Sequence, residues 1–580
     1  MRILFLTHSF NSLAQRLYVE LVERGHEVSI EFDINDVVAI EAVDLFRPEL
    51  IVAPFLKRAI PEPIWRRHVC LVVHPGIKGD RGPSSLDWAI LDEEQEWGVT
   101  VLQANALMDG GDVWAARTFP MRAARKSSLY RNEVTEAATA AVLDAVGKFE
   151  RGGFVPEPLD YARPDVRGTE RPPMKQDDRR IDWSHDDTAT VLRKMRASDG
   201  FPGVADRIEG IECWLYNAHP EGRLRGAKPR AILARRNGAI CRATIDGAVW
   251  ITHAKRKAEE PTFKLPAAQA LGAAIAGVPE AALPALPQRD ASTWQDIAYE
   301  EADSVGYLHF DFYNGAMSSS DCLRLREAFL EAARRDTKVI ALMGGPDFWS
   351  NGIHLNTIET ADSPADESWA NINAMDDLCR AILECGTHLT VAAMQGNAGA
   401  GGVFLALTSD RVVARQGVIL NPHYKGMGNL HGSEYWTYLL PRRVGRERAQ
   451  AITQNRLPIG AREAKRQGLI DDCFGADVSE FRAGVRKLAR ELAGQPDFER
   501  RLEDKRTQRS RDEQTKPLEA YRAEELERMK LNFYGFDPSY HVARYHFVHR
   551  VPHAWTPLHL ARHRQNMWRK QASLKTRAAA

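Results

Sequence analysis

The chain has little cysteine, no surplus of either charge and no long apolar run, and each absence excludes a class of protein. There are 7 Cys in 580 residues, an odd and scattered set with no C-x-x-C pair. Such spacing supports neither a disulfide framework nor a zinc cluster and suits a reducing compartment. Lys+Arg 78 balance Asp+Glu 78, for a formal net charge of +0. A balanced chain has no global field to draw in nucleic acid or an anionic membrane, so any polyanion site must be local. No apolar run reaches bilayer-spanning length. The start, Met1-Arg2-Ile3-Leu4-Phe5-Leu6, meets His8, Ser9 and Asn11 too soon for a signal peptide and reads as a first strand. The expectation is a soluble, cytoplasmic protein without membrane, nucleic-acid or metal partners.

At 580 residues and 44% hydrophobic content, the chain is too long for one core and should form about three domains. Residues 2–7, 27–32, 50–54 and 69–73 read as strands, and 13–24 as a helix, at βαβ spacing. The pattern predicts a parallel, Rossmann-like sheet. Its first turn, His8-Ser9-Phe10-Asn11-Ser12, lacks the G-x-G-x-x-G that lets a pyrophosphate reach the backbone, which excludes a dinucleotide. A Pro/Arg-rich stretch near Pro156–Pro173 reads as a linker. Alternation over 239–246 and 248–253 predicts further strands, and the Ala/Pro-rich segment 266–287 a second connector.

His74, at the end of an apolar strand and before Pro75-Gly76, should project from the carboxyl edge of the sheet, where open sheets place ligands. Attack on a formamide-like carbon creates an oxyanion; an imidazole can donate to it while a carboxylate manages the proton, and Asp109 in Met108-Asp109-Gly110-Gly111-Asp112 is that carboxylate. With Arg81-Gly82-Pro83-Ser84-Ser85 between them, these motifs resemble the active site of enzymes that move a formyl group from 10-formyltetrahydrofolate. The resemblance implies folate as cofactor, His74 and Asp109 as catalytic residues, and Ser84, Gln103 and Asn105 as cofactor contacts. One departure is Val72, where those enzymes carry an Asn that donates to the oxyanion. Losing such a donor costs about 2.7–4 kcal/mol. Either the site is slower, or Gln103 or Asn105 replaces the donor, or the acceptor is a stronger nucleophile, such as the thiol of coenzyme A.

Further on stand Trp349-Ser350-Asn351-Gly352-Ile353 and Gln395-Gly396-Asn397-Ala398-Gly399-Ala400-Gly401-Gly402, the latter leading into the helical run Val403–Leu407. Glycines admit a ligand close to the backbone, and a helix start adds positive potential. These loops resemble the thioester-binding loops of the crotonase (enoyl-CoA hydratase/isomerase) family. By that resemblance coenzyme A is bound, the Ile353 and Gly401 N–H groups hold the thioester oxygen, and Gly352 and Gly402 line the site. Hydratases of the family use two glutamates, and here Phe404 and His423 stand in their places. A formyl thioester has no α-carbon. Its carbon-bound proton is the formyl hydrogen, whose removal as the thiolate leaves releases carbon monoxide. Glu434 is the expected base and Tyr424 the proton donor, with His423 third.

The expected fold is therefore multidomain α/β. It comprises a Rossmann-like formyltransferase domain (1–160), a small β-barrel like the formyltransferase C-terminal domain (161–264), a linker (265–296), a crotonase-fold domain (297–495) and a helical tail (496–580). Over nearly its whole length the chain is similar to the hydrogenase maturation factors that join these halves. That resemblance implies carbon monoxide synthesis from 10-formyltetrahydrofolate through formyl-CoA, with hydrogenase maturation proteins as partners. The alternative is a formyltransferase or deformylase whose crotonase half only binds coenzyme A or acts as a scaffold. His559 and His563, four apart, suggest structural use. Arg544, Arg550, Arg562, Arg564, Arg569 and Lys570, interleaved with Tyr545, Trp555 and Trp568, read as a partly solvated helical tail that closes over the thioester site or bridges domains.

Overall fold

The computed structural model of the chain describes residues 1–226 and 228–565. They fall into two compact units: Met1–Arg180 with Arg193–Val204 and the chain from Pro552, and Ile181–Leu192 with Ala205–Val551. Trp568, Arg569 and Lys570 lie outside the described residues. Among the described residues, no helix is long and apolar enough to cross a membrane.

In the first unit one sheet runs in the order Glu27–Phe32, Arg2–Thr7, Leu50–Ala53, Cys70–His74, Glu96–Gln103, Val113–Pro120. The first four strands are parallel and the last two antiparallel, so the expected parallel sheet is a mixed one. Apart from the half-buried Val72, the Leu, Ile and Val of the strands are buried on both faces, as in sheets covered by helices. Asn11 caps the helix Ser12–Glu23 by accepting from Ala14 N at 3.0 Å, which commits the first strand-to-helix turn to its own helix. The segment after Pro552 returns to this sheet. Ile30 N donates to Leu560 O (3.1 Å) and Phe32 N to Thr556 Oγ1 (2.8 Å), while His563, fully buried, bridges Ser29 (2.7 Å) and Glu31 (2.9 Å). His563 is thus structural.

The second unit holds three sheets among the described residues. The expected small open barrel is a sheet in the order Val204–Ile208, Ile211–Glu221, Ala248–Arg256, Ala239–Ala243, Ile232–Arg236; Leu265–Pro266, from the predicted connector, adds to Ala248–Arg256, and Arg235 pairs outward with Glu280. A larger sheet follows the order Ile297–Ala302, Val305–Phe310, Val339–Met343, Leu389–Met394, Arg411–Arg415, Asp472–Phe474, parallel from its second strand on. The third sheet positions the site. Its strands Phe348–Ser350, Asn397–Gly399 and Ile419–Asn421 are parallel neighbours, and Ile459–Gly460 closes one edge. The tail helices Phe498–Thr515, Leu518–Tyr534 and Ser539–His549 complete the unit; Leu518, Met529, Phe533 and Tyr540 join its main apolar core.

Candidate active sites

Strand Cys70–His74 delivers His74 to a turn fixed by hydrogen bonds. Ser85 Oγ (2.9 Å) and Trp97 Nε1 (3.0 Å) donate to Pro75 O, and Thr100 Oγ1 donates to Gly76 O (2.8 Å). Only glycine fits at 76: a Cβ there would stand 2.5 Å from His74 Nε2 and 2.4 Å from Asp80 Oδ2. The buried imidazole lies between two carboxylates. Nε2 is 2.8 Å from Asp80 Oδ2, and Nδ1 is 3.6 Å from Asp109 Oδ2. The Asp80 side chain is 0% exposed and Asp109 15%, so Asp80 backs the ring and Asp109 faces the open side. A backing carboxylate accepts a hydrogen bond from the Nε2–H and leaves Nδ1 for chemistry. Asp109 holds a left-handed backbone (φ 54°) and accepts from Gly82 N at 3.4 Å.

The other expected folate-side contacts are engaged elsewhere. Antiparallel register pairs His74 with Thr100, Val72 with Leu102 and Leu71 with Gln103. Alternation then puts Gln103 on the face opposite His74, where its Oε1 accepts from Trp114 Nε1 at 3.1 Å. Asn105 is exposed and shapes its own loop by accepting from Leu107 N (2.8 Å). Ser84 Oγ accepts from Met174 N at 3.0 Å. Neither Gln103 nor Asn105 stands where the missing Asn would be. Val72 packs with an apolar cluster containing Leu4, Leu6, Ile51 and Cys70.

At the second site, three parallel strands end together. Phe348–Ser350 leads to Asn351-Gly352-Ile353, Asn397–Gly399 to Ala400-Gly401, and Ile419–Asn421 to Pro422-His423-Tyr424. Gly352 has φ +79° and would carry a Cβ only 3.3 Å from Gly401 N, so the two loops touch. Among the described residues neither the Ile353 N–H nor the Gly401 N–H is used within the chain, and Gly401 opens the helix Gly401–Leu407. Two free donors on touching loops, one of them at a helix start, are what an oxyanion cradle requires. Glu434 faces it: a Cβ on Gly401 would lie 2.0 Å from Glu434 Oε1. Tyr424 donates its hydroxyl to Glu434 Oε2 at 2.5 Å, and its ring stacks on Phe404 at 5.4 Å between centroids. Phe404 is thus a wall, where hydratases have a glutamate. His423 is half-buried on the same strand end, its N–H donating to Asn421 O at 2.8 Å. Gly402 packs against Ser350, and Trp349 Nε1 donates to its carbonyl (2.9 Å).

The comparisons agree with both halves. The family described as enoyl-CoA hydratase/isomerase matches residues 314–532, and formyl transferase, C-terminal domain, matches 173–262. Hydrogenase maturation factor HoxX of Bradyrhizobium diazoefficiens is 54% identical over 568 residues, 97% of each chain. The chain belongs to the HypX/HoxX family of hydrogenase maturation factors. A crystal structure of HypX from Aquifex aeolicus in complex with tetrahydrofolic acid is 53% identical, with TM-score 0.94 over 97% of this chain and 99% of that one. Methionyl-tRNA formyltransferase of Desulfotalea psychrophila is 29% identical over 206 residues, covering 35% of this chain and 62% of the relative.

Within this HypX/HoxX chain the expected Glu434 is backed by two acids that sequence reasoning missed, Asp376 and Glu525. Glu434 is pushed up to about 8, by burial first and then by the Asp376 carboxylate. Glu525, on the tail helix, is likewise pushed up to about 8 by burial and by Asp376, and burial raises Asp376 to about 6. The Tyr424 hydroxyl is held well above its ordinary value by burial and by Glu434. Their sequence separations from the site, 57 residues from Ser433 to Asp376 and 92 to Glu525, leave no local motif. Asp80 left a faint trace as an acid between glycines, six positions after His74. The basic tail is internally paired at Arg544, which donates to Glu359 (2.6 Å), and at Arg564, which donates to Glu31 (2.8 Å).

Proposed function

We propose that the chain transfers a formyl group from 10-formyltetrahydrofolate to coenzyme A and then decarbonylates formyl-CoA, supplying carbon monoxide for the metal centre of [NiFe]-hydrogenase. The tetrahydrofolate seen on the related HypX structure supports the first substrate. At the first site His74, its Nε2 proton held by Asp80, takes the thiol proton through Nδ1 as sulfur attacks the formyl carbon, and Asp109 directs proton delivery to the leaving folate amine. An activated thiol compensates for the donor lost at Val72.

The observation that carries the reading is the Glu434 carboxyl set against Gly401 beside two unused N–H donors. With the formyl oxygen on Ile353 and Gly401, Glu434 removes the formyl proton, the C–S bond breaks with its electron pair on sulfur, and carbon monoxide leaves. Tyr424, in hydrogen bond with Glu434, returns a proton to the thiolate and is itself reprotonated by Glu434. Atoms and charge balance: formyl-CoA gives carbon monoxide and coenzyme A. Phe404, stacked on Tyr424, fills the position where hydratases carry a second glutamate, so that position offers no carboxylate to activate a water.

The test is to incubate purified protein with 10-formyltetrahydrofolate, with and without coenzyme A, and to follow carbon monoxide by haemoglobin absorbance alongside tetrahydrofolate. Equimolar release that requires coenzyme A is expected. Tetrahydrofolate without carbon monoxide would make the chain a formyltransferase or deformylase with a binding half; no turnover would make the crotonase half a scaffold.

A further inference from the structure

Glu434 and Tyr435 are consecutive residues in the left-handed region, with φ of 61° and 57°, just before the helix Trp436–Val444. Non-glycine residues adopt this conformation at a cost that the surroundings must offset. Here two buried acids from other helices do so. Asp376, on the helix Pro364–Leu383, accepts from Glu434 N (2.8 Å, Oδ1) and from Ser433 Oγ (2.8 Å, Oδ2). Glu525, on the helix Leu518–Tyr534, accepts from Tyr435 N (3.0 Å), Thr437 N (2.8 Å) and Thr437 Oγ1 (2.5 Å), and shares the Ser433 hydroxyl at 3.3 Å. Asp376 is 0% and Glu525 0% exposed.

Satisfying backbone donors does not by itself require an ionisable group, since an amide oxygen would also accept. The arrangement around Glu434 distinguishes the two acids. Asp376 holds the Glu434 backbone itself; Glu525 holds the residues that follow. Charged and titratable groups face Glu434 from every packed element: Asp376 and Cys379 on one helix, Glu525 and Arg522 on the tail helix, Cys322 on the helix Ser319–Ala332, and Tyr424 from the strand end. Arg522 is turned to Asp377 (2.6 Å) and stands 3.7 Å from Asp376.

We infer that Asp376 is a positioning residue of the thioester site: its carboxylate accepts from Glu434 N and Ser433 Oγ, locks the strained Glu434 backbone so that the Glu434 carboxyl meets Gly401, and sets a negative charge beside it. The inference rests on the carbon monoxide reading for its catalytic meaning, and its physical content is tested without turnover. The Asp376 charge is one of the two causes that hold Glu434 near 8.

The experiment uses the full chain and reads the protonated-carboxyl stretch of Glu434 by infrared difference spectroscopy against pH, assigned by its loss in Glu434→Gln. Asp376→Asn keeps an acceptor for Glu434 N and removes the charge; the Glu434 midpoint is expected to fall by about one pH unit. Glu525→Gln is expected to move it less. An unmoved midpoint in folded Asp376→Asn, or an equal shift in both variants, would overturn the inference. Asp376→Glu keeps the charge and lengthens the side chain. It should retain the high midpoint and lower kcat for carbon monoxide release from formyl-CoA about tenfold with KM unchanged; an unchanged kcat would overturn the positioning role. Should no variant release carbon monoxide while the midpoint still falls in Asp376→Asn, the positioning stands and the reaction assignment fails.

Discussion

His74 and Glu434 are both buried acid–base groups, and each takes its role from the residue behind it. Asp80, bonded to His74 Nε2, is the orienting partner in the proposed formyl site. Asp80→Asn should let the ring adopt the wrong tautomer and slow coenzyme A-dependent tetrahydrofolate release about a hundredfold, read by folate absorbance; a rate within twofold of wild type would contradict this. Val72 sits in an apolar cluster, so Val72→Asn should lower thermal stability without raising formyl transfer tenfold. A large rise would mean that the missing amide, rather than the nature of the acceptor, limits the reaction. Glu434 acts as a base only when ionised, and its pKa is raised to about 8. The kcat/KM for carbon monoxide release should therefore climb with pH up to about 8 and level off above it; a profile already flat by pH 6 would place the proton elsewhere.

Three parallel strand ends build the proposed thioester cradle, and the helices behind it supply its acids. Asp376, Glu434 and Glu525 have folded-state pKa values of about 6, 8 and 8 against ordinary values of 3.8, 4.5 and 4.5. The folded chain therefore keeps protons that the unfolded chain has released. Their contribution to stability is complete below the ordinary values and is lost as pH rises through the raised ones. Thermal unfolding of the second unit, followed by calorimetry, should shift to lower temperature between about pH 5 and pH 8. Glu434→Gln should flatten that slope, and an unchanged slope would show that Glu434 is ionised throughout. The cradle was legible in sequence because Asn351-Gly352-Ile353 and Ala400-Gly401-Gly402 are local motifs whose backbone does the work. The acids were not, since contact between Ser433 and Asp376 or Glu525 is made by tertiary packing of helices far apart in the chain. The first sheet was legible strand by strand to His74. The antiparallel turn of Glu96–Gln103 was not, and it removes Gln103 from the His74 face.

On the proposed reading the chain joins a folate-type site and a thioester-type site, and the substitutions in each narrow the chemistry more than the motifs do. In that reading Val72 goes with a thiol acceptor, and Glu434 with its bonded Tyr424 beside Phe404 is the acid–base pair. Joining both sites in one polypeptide raises the effective concentration of the shared thioester. With labelled 10-formyltetrahydrofolate, unlabelled formyl-CoA added to the solution should therefore dilute the label in carbon monoxide less than free mixing requires. Dilution to the free-mixing value would show that the intermediate equilibrates with solvent. The most direct test supplies carbon-13 formyl-CoA itself and measures labelled carbon monoxide by mass spectrometry. Wild type and His74→Ala should release it at equal rates, and Glu434→Gln should be slower by about a hundredfold or more. Wild-type rates in Glu434→Gln, or loss of release in His74→Ala, would contradict the assignment of decarbonylation to the crotonase half.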